Sequence, residues 1–486
     1  MVSFIVSLVI LVIGYFIWGK VTEKTFAIDD RPTPAIASPD GIDRVPIKTW
    51  KAFLIQLLNI AGTGPIFGAL MGAVFGPVVF LWVVLGSILG GAVHDFMTGM
   101  ISARHDGSSI AELAGIYLGS KMKWVMRVFS VLLLLLVGTV FITSPAALIA
   151  NLTPESLNMT FWVGVILIYY LIATLLPIDK VIGVLYPVFG IILIVMALAI
   201  ITGITINSKY VIPEITLSNL HPDNLPVWPF MFITVACGAI SGFHATQSPM
   251  VAKCIKSEKS GKPVFFGAMI AEAVIALIWA AAGVAFYGAT HLLNEALTAY
   301  GASDVVYQIS KQLLGPVGGI LAIVGVVICP ITSGDTAFRS ARLVLAESFK
   351  LDQKYMKNRL IITVPLLLIA AFLTTINFNI LWRYFSWSNQ TLAMIALWIC
   401  TSYLITKGKY KYGSLITAIP ASFMTAVSVT YILMAPEGFK LSGGIAYPIG
   451  IISAVLLFIL YIYYFIKFTN KEKNLDMIRN INNTGI

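Results

Sequence analysis

Residues 241–249 read Ser-Gly-Phe-His-Ala-Thr-Gln-Ser-Pro, inside an apolar run that extends from about 228 to 252. Residues 61–65, Ala-Gly-Thr-Gly-Pro, interrupt another apolar run in the same way. Glycine tolerates unusual backbone dihedrals, and proline removes a donor and clashes with the preceding helical turn. Each stretch therefore reads as a break within a membrane helix. A break frees backbone N–H and C=O groups, which at membrane depth must be buried in protein or line a cavity. One such break could simply kink a packed helix. Two at matching positions point to a built site.

The membrane setting follows from composition. The chain has 486 residues, 58% hydrophobic and 11% charged, with mean hydropathy +0.90. Soluble domains carry about 25% charged residues. Apolar runs of helix-spanning length recur from end to end. We read thirteen of them, at 1–18, 51–75, 77–103, 124–150, 161–178, 181–206, 228–252, 263–288, 314–338, 360–378, 381–405, 413–434 and 444–467. Segment 109–119 is too short to span and is expected at the surface. Lys20 and Lys24 follow the first run instead of preceding it, as in a retained helix rather than a signal peptide.

The net charge of +10 does not imply nucleic acid, because the cations sit in short loops between apolar runs. With the N-terminus outside and the C-terminus inside, every Lys and Arg falls on the inner side except Lys209, Lys311, Arg383 and Lys440, the bias expected of cytoplasmic loops. Cys237, Cys254, Cys329 and Cys400 show no metal or disulfide spacing and read as free thiols.

Each break begins a block of five spans. Five is odd, so the second block enters from the opposite side and the repeat is inverted. Ile142-Thr143-Ser144 and Ile331-Thr332-Ser333 echo each other in the third spans of the two blocks. The expected organisation is an N-terminal helix and loop at 1–50, repeats at 51–206 and 228–405 joined by an outer loop at 207–227, and two further helices at 406–486. Inverted repeats with discontinuous helices are a transporter plan: half-helix N-termini receive anionic groups, and unwound carbonyls receive cations.

Several stretches resemble the carbon starvation protein A family: Gly62–Ile66 with Gly68-Ala69, Gly90–Phe96 (Gly-Gly-Ala-Val-His-Asp-Phe), Ser102–Gly107, His244–Pro249 and Asn389–Ala393. The resemblance covers most of the chain to about residue 405. It implies peptide uptake or pyruvate–proton symport during carbon starvation. It also implies the LeuT-like fold of the amino acid–polyamine–organocation superfamily, with five plus five helices.

The candidate substrate-binding residues are Gly62, Thr63, Gly64, Pro65, Ser241, Gly242, His244, Thr246, Gln247, Ser248, Asn389 and Gln390. Thr246, Gln247 and Ser248 can satisfy backbone or substrate equally well, and Asn389 and Gln390 can face a pathway or join helices. The candidates for ion or proton coupling are His94, Asp95, Glu272, Thr332, Ser333, Asp335 and Thr336, since ionisable groups at membrane depth are costly. His94 and Asp95 are adjacent, but neighbours on a helix point about 100° apart and need not bond each other. In LeuT-like sodium transporters a cation sits where the third helix of block two meets the first helix of block one, so the hydroxyls after Pro330 are candidates for sodium, with Asp335 alternatively paired to Arg339.

The expected function is thus ion-coupled transport of a small peptide or carboxylate, with a proton or sodium as coupling ion and no cofactor. The partners are substrate and bilayer, not nucleic acid. A gated channel is the alternative; it lacks a filter motif here. An intramembrane enzyme is less favoured still, for no HExxH-type ligand set appears, and no P-loop supports ATP drive.

Overall fold

The computed structural model describes residues 1–40, 44–175 and 178–484, with the side chains of all of these except 175–185, 411 and 471–484. The helices in chain order are α1 (Val2–Phe26), α2 (Thr49–Ile60), α3 (Gly64–Ala73), α4 (Val79–Arg104), α5 (Ile110–Leu118), α6 (Ser120–Leu152), α7 (Met159–Leu175), α8 (Ile178–Ile206), α9 (Gly242–Ala252), α10 (Glu258–Tyr287), α11 (Thr290–Phe349), α12 (Met356–Leu373), α13 (Phe378–Lys407), α14 (Leu415–Met434) and α15 (Gly443–Thr484). Helix α11 is folded at Gly301 and Gly315, whose positive φ angles of 78° and 64° interrupt it. Among the described residues there is no strand.

Nine helices among the described residues are long and apolar enough to cross a membrane, and ten if the bent pair α2 and α3 is one span. The sequence reading expected thirteen. The remaining three segments are helical but fall short for physical reasons. Helix α7 is a shorter apolar helix. The segment 228–252 is broken in two. Helix α13 has the length but carries Ser386, Ser388, Asn389 and Gln390 in its buried face.

Burial separates centre from rim. The apolar window of α10 is 89% buried and that of α4 83%, against 17% for α15 and 28% for α1 and α12. The outer helices therefore present apolar side chains outward, as lipid-facing helices do. Segment 110–118 is indeed a short helix, with Ile110, Ala111, Leu113 and Ala114 buried.

The first break lies where expected: α2 ends at Ile60 and the chain bends by 50° into α3, with Pro65 in its first turn, where a missing N–H costs nothing. The second break is shifted. Residues 242–252 form continuous helix α9, and the irregular backbone runs from Val235 to Ser241. Gly238, at φ +90°, supplies the turn; Gly242 and Pro249 do not interrupt the helix.

Freed backbone at both breaks is paired by side chains. Ser333 donates to Leu58 O at 3.1 Å. At the second break, Trp82 Nε1 donates to Val235 O at 3.2 Å, Ser87 Oγ to Gly238 O at 2.8 Å, and Gln390 Nε2 to Phe232 O at 2.9 Å. This is the condition under which irregular backbone survives away from water. Ser87–Gly91 forms a π-turn within α4, and Gly91 allows its approach: a Cβ there would stand 2.2 Å from Ala239 O.

Two groups of loops are held together by contacts of their own. In one, Ile47 N donates to Cys254 O at 3.0 Å, Arg44 pairs with Asp106 at 2.7 Å, and Ser402 Oγ donates to Tyr117 O at 2.8 Å. In the other, the Met1 ammonium meets Glu214 at 2.7 Å, Leu220 N donates to Phe75 O at 3.2 Å, and Asn151 meets Asp304 at 2.6 Å. Lys180, Lys411, Lys471, Lys473 and Arg479, assigned above to the inner face, lie outside the described side chains.

Candidate functional site

The two breaks meet. Gly64 lies so close to Cys237 that a Cβ would stand 2.4 Å from the Cys237 side chain, and a Cβ at Gly238 would stand 3.6 Å from Pro65. Gly62 is pressed against Phe141, at 2.8 Å by the same measure. Thr63 is fully buried and its hydroxyl has no partner.

His244 stands in the first turn of α9. Its Nδ1 is 2.8 Å from Asp95 Oδ2, and its Nε2 is 3.4 Å from Glu272 Oε2. The other oxygen of Asp95 is 2.8 Å from His94 Nδ1. The adjacent pair therefore does bond, with Asp95 bridging two imidazoles. His94, Asp95, His244 and Glu272 form one line across α4, α9 and α10, and all four are fully buried. Four proton-exchanging groups within reach of one another suit proton handling.

Asn389 holds the break open. Its Oδ1 accepts from the Phe243 N–H at 2.7 Å and from Ser241 Oγ at 3.1 Å, and its Nδ2 lies 3.4 Å from Cys237 Sγ. Gln390 is tied to Phe232 O, so both amides support backbone. Gly242 lets α9 pack on α13, where a Cβ would stand 2.4 Å from Asn389 O. Thr246 donates to Phe243 O at 2.6 Å and Ser248 to His244 O at 2.9 Å, both within their own helix. Gln247 Nε2 reaches Ser340 Oγ at 3.3 Å, while its Oε1 is buried without a partner.

The hydroxyl stretch after Pro330 divides. Ser333 touches the first break through Leu58 O. Thr332 and Thr336 donate to Cys329 O at 2.7 Å and Ser333 O at 2.9 Å. Asp335 is not brought to the break with Ser333. Two residues on along a helix is the opposite side, and there Asp335 lies 3.5 Å from Arg339.

Sequence reasoning missed three groups. Gln56 and Asn59 on α2 are buried with unpaired amide atoms; two amides in an otherwise apolar run were the available signal. Cys237, read as a plain thiol, offers its sulfur within 4.8 Å of ligand atoms from His244 and Glu272.

Residues 1–211, 144–294 and 294–431 match the family described as "Carbon starvation protein CstA". The chain belongs to this family. It is 39% identical over 351 residues to an uncharacterized membrane protein of Haemophilus influenzae, covering 62% of this chain and 95% of that one. It is 28% identical to the peptide transporter CstA of Bacillus subtilis, over 66% of this chain and 65% of the relative. It is 26% identical to the pyruvate/proton symporter BtsT of Escherichia coli, over 53% and 45%. The fold is that of solved transporters. The Eremococcus coleocola manganese transporter superimposes with a TM-score of 0.55 at 12% identity, covering 89% of this chain and 99% of that one. A Na⁺-coupled sialic acid symporter gives 0.54 at 12%, covering 93% and 95%. The relatives that carry a functional name and the structural neighbours are transporters, not enzymes, and this CstA-family chain is a multi-span membrane transporter of the bacterial cell membrane.

Proposed function

We propose that this chain is a secondary carrier that imports small carboxylates or peptides by alternating access, driven by a proton gradient or, in second place, a sodium gradient, during carbon starvation. The observation that carries the reading is the meeting of two broken helices at one buried polar cluster. The reading takes thirteen spans with the N-terminus outside and the C-terminus inside, and five-helix blocks 51–206 and 228–405 related by inversion. The start of α3 and the first turn of α9 receive the substrate's anionic group through their positive helix ends. Thr63, Gln56, Asn59 and Gln247 bring unpaired polar atoms to these two broken spans. The line His94–Asp95–His244–Glu272 handles the proton. Ser333 beside Leu58 O is the sodium contact of the second reading. Relatives named for peptide transport and for pyruvate–proton symport support this substrate range.

The test is uptake of labelled pyruvate and dipeptides by purified protein in liposomes under imposed proton or sodium gradients. Saturable counterflow, stimulated by one gradient and lost in His244→Ala, is expected. Stimulation by neither gradient removes the symport proposal, and an ohmic current in its place makes the protein a channel.

A further inference from the structure

We propose that Cys237, His244 and Glu272 bind one divalent cation of the zinc class. The binding itself does not depend on the transport reading; its consequence, that a bound cation blocks coupling, rests on it.

The geometry comes first. One ligand atom from each of the three residues lies within 4.8 Å of the other two. A tetrahedral zinc site, with bonds of about 2.0–2.3 Å, holds its ligands about 3.3–3.8 Å apart. His244 Nε2 and Glu272 Oε2, at 3.4 Å, already have that spacing. Only the sulfur has to close in, by at most about an ångström, and Cys237 lies in the irregular backbone between Val235 and Ser241, where a small shift breaks no helix.

The unpaired atoms are a second, independent observation. His244 Nε2 and both oxygens of Glu272 are buried and make no well-aligned hydrogen bond; Nε2 and Oε2 are held 3.4 Å apart, with the Gly238 backbone and the Cys237 thiol beside them. Buried polar atoms without partners are rare and call for an explanation. Here they face one another on residues that are 0% exposed.

The supporting contacts have the form of a metal site. Asp95 takes His244 Nδ1 at 2.8 Å, which fixes the tautomer and leaves the Nε2 lone pair for the cation. A carboxylate behind a ligating histidine is the usual second layer. His94 in turn holds Asp95. The donor set is one sulfur, one imidazole nitrogen and one carboxylate oxygen, a mixture that suits zinc better than the oxygen-seeking magnesium or calcium. Charge also balances. The Cys237 thiol gives up its proton on binding, the imidazole is neutral, and thiolate plus carboxylate cancel a 2+ ion. The ion and its three ligands then add no net charge of their own, which limits the cost in a dry interior, while the Asp95 carboxylate behind them stays bonded to both histidines. Three protein ligands leave a fourth position for water.

The test uses the full chain purified in detergent, with Co²⁺ as spectroscopic probe and Zn²⁺ as competitor. One Co²⁺ per chain is expected, with a sulfur-to-cobalt charge-transfer band that Zn²⁺ displaces. Cys237→Ser should abolish the band and weaken Zn²⁺ binding at least tenfold. Cys400→Ser, a buried thiol elsewhere, should change neither. Should Cys237→Ser not fold, the wild type alone decides: Zn²⁺ should protect Cys237 from alkylation, read by mass spectrometry against Cys254. Absence of saturable binding, a band that persists in Cys237→Ser, or no protection overturns the proposal. If uptake is absent but Co²⁺ still binds with its sulfur band, the transport reading fails and the site stands. If uptake proceeds unchanged with the site filled, the blocking role falls.

Discussion

The Arg104 guanidinium grips both oxygens of Glu258, with Nε to Oε1 and Nη2 to Oε2 each at 2.7 Å. The two side chains are only 8% and 2% exposed. The fork joins the end of α4 to the start of α10, and around it Arg104 also bonds Ala27 O at 2.9 Å and the Tyr403 hydroxyl at 2.8 Å. The pair thus ties the loop after α1, the ends of α4 and α13 and the start of α10 into one closed face. The charge pattern counted Arg104 only as one of the inner-side cations; its burial and its partner are tertiary facts.

Removing one partner of this fork leaves the other charge buried and unpaired. Arg104→Ala should destabilise the fold by about 3–5 kcal/mol. The milder Glu258→Gln should keep the fold and loosen this face. Labelling of a cysteine placed at Ala27 should then be several-fold faster than in the same cysteine variant with Glu258 intact. Equal labelling rates would show that the fork does not close this face.

Asn389 supplies the acceptor for the Phe243 N–H. Asn389→Ala leaves that N–H and the Ser241 hydroxyl buried without it, at a cost of about 1–3 kcal/mol. A fall in the unfolding midpoint is expected in a thermal scan. Asn389→Asp keeps the Oδ1 acceptor and should recover most of the loss. An Asp variant as unstable as the Ala variant would mean that packing, not capping, is what Asn389 provides.

Gly91 and Gly164 make a matched pair of opposite sign. At Gly91 an added Cβ meets the Ala239 carbonyl oxygen at 2.2 Å, and backbone cannot step aside as a side chain can. Gly91→Ala should cost about 1–3 kcal/mol through overpacking and reduce uptake with it. At Gly164, inside α7, nothing lies within 4 Å. Gly164→Ala should be neutral or stabilising by up to about 1 kcal/mol, since alanine is the better helix former. The comparison is read from the two unfolding midpoints.

Asp29 lies in the loop after α1, outside the spans. Hydrogen bonds from the Arg31 side chain hold its carboxyl down at about 2. A carboxyl lowered in the folded state adds stability above its unfolded value of 3.8, and that increment is lost as pH falls towards 2. Arg31→Gln should therefore lower stability slightly at neutral pH and flatten its dependence between pH 4 and pH 2. An unchanged acid limb in thermal scans across that range would refute the pairing.

Much of the arrangement was legible because membranes impose strict local rules. Apolar runs marked helices. The glycine and proline clusters at 61–65 and 241–249 marked both breaks, though the second lies at Val235–Ser241, because the helical pattern of Phe243–Ala252 is locally sound and Gly238 takes the turn. His94, Asp95, His244 and Glu272 stood out singly as ionisable groups in apolar runs. Their connection did not, because each sits on its own face of its own helix and only packing decides which faces meet. For the same reason Ser333 reached the first break and Asp335, two residues away, did not. Cys237 gave no signal, since a cysteine in an apolar run reads as any small hydrophobe.

By itself, then, the sequence determined that the chain is helical and membrane-spanning, that two of its apolar segments break, and which groups are too polar to lie there idle. These are properties of single segments, set by backbone hydrogen bonding and by the cost of charge in hydrocarbon. Only the tertiary structure decided that the breaks touch, that Asp95 bridges two histidines, that Asn389 caps Phe243, and that Cys237 faces His244 and Glu272. Those relationships join residues as much as 173 positions apart, from Gly64 to Cys237, on helices whose rotation about their own axes is settled by packing, which no local pattern encodes.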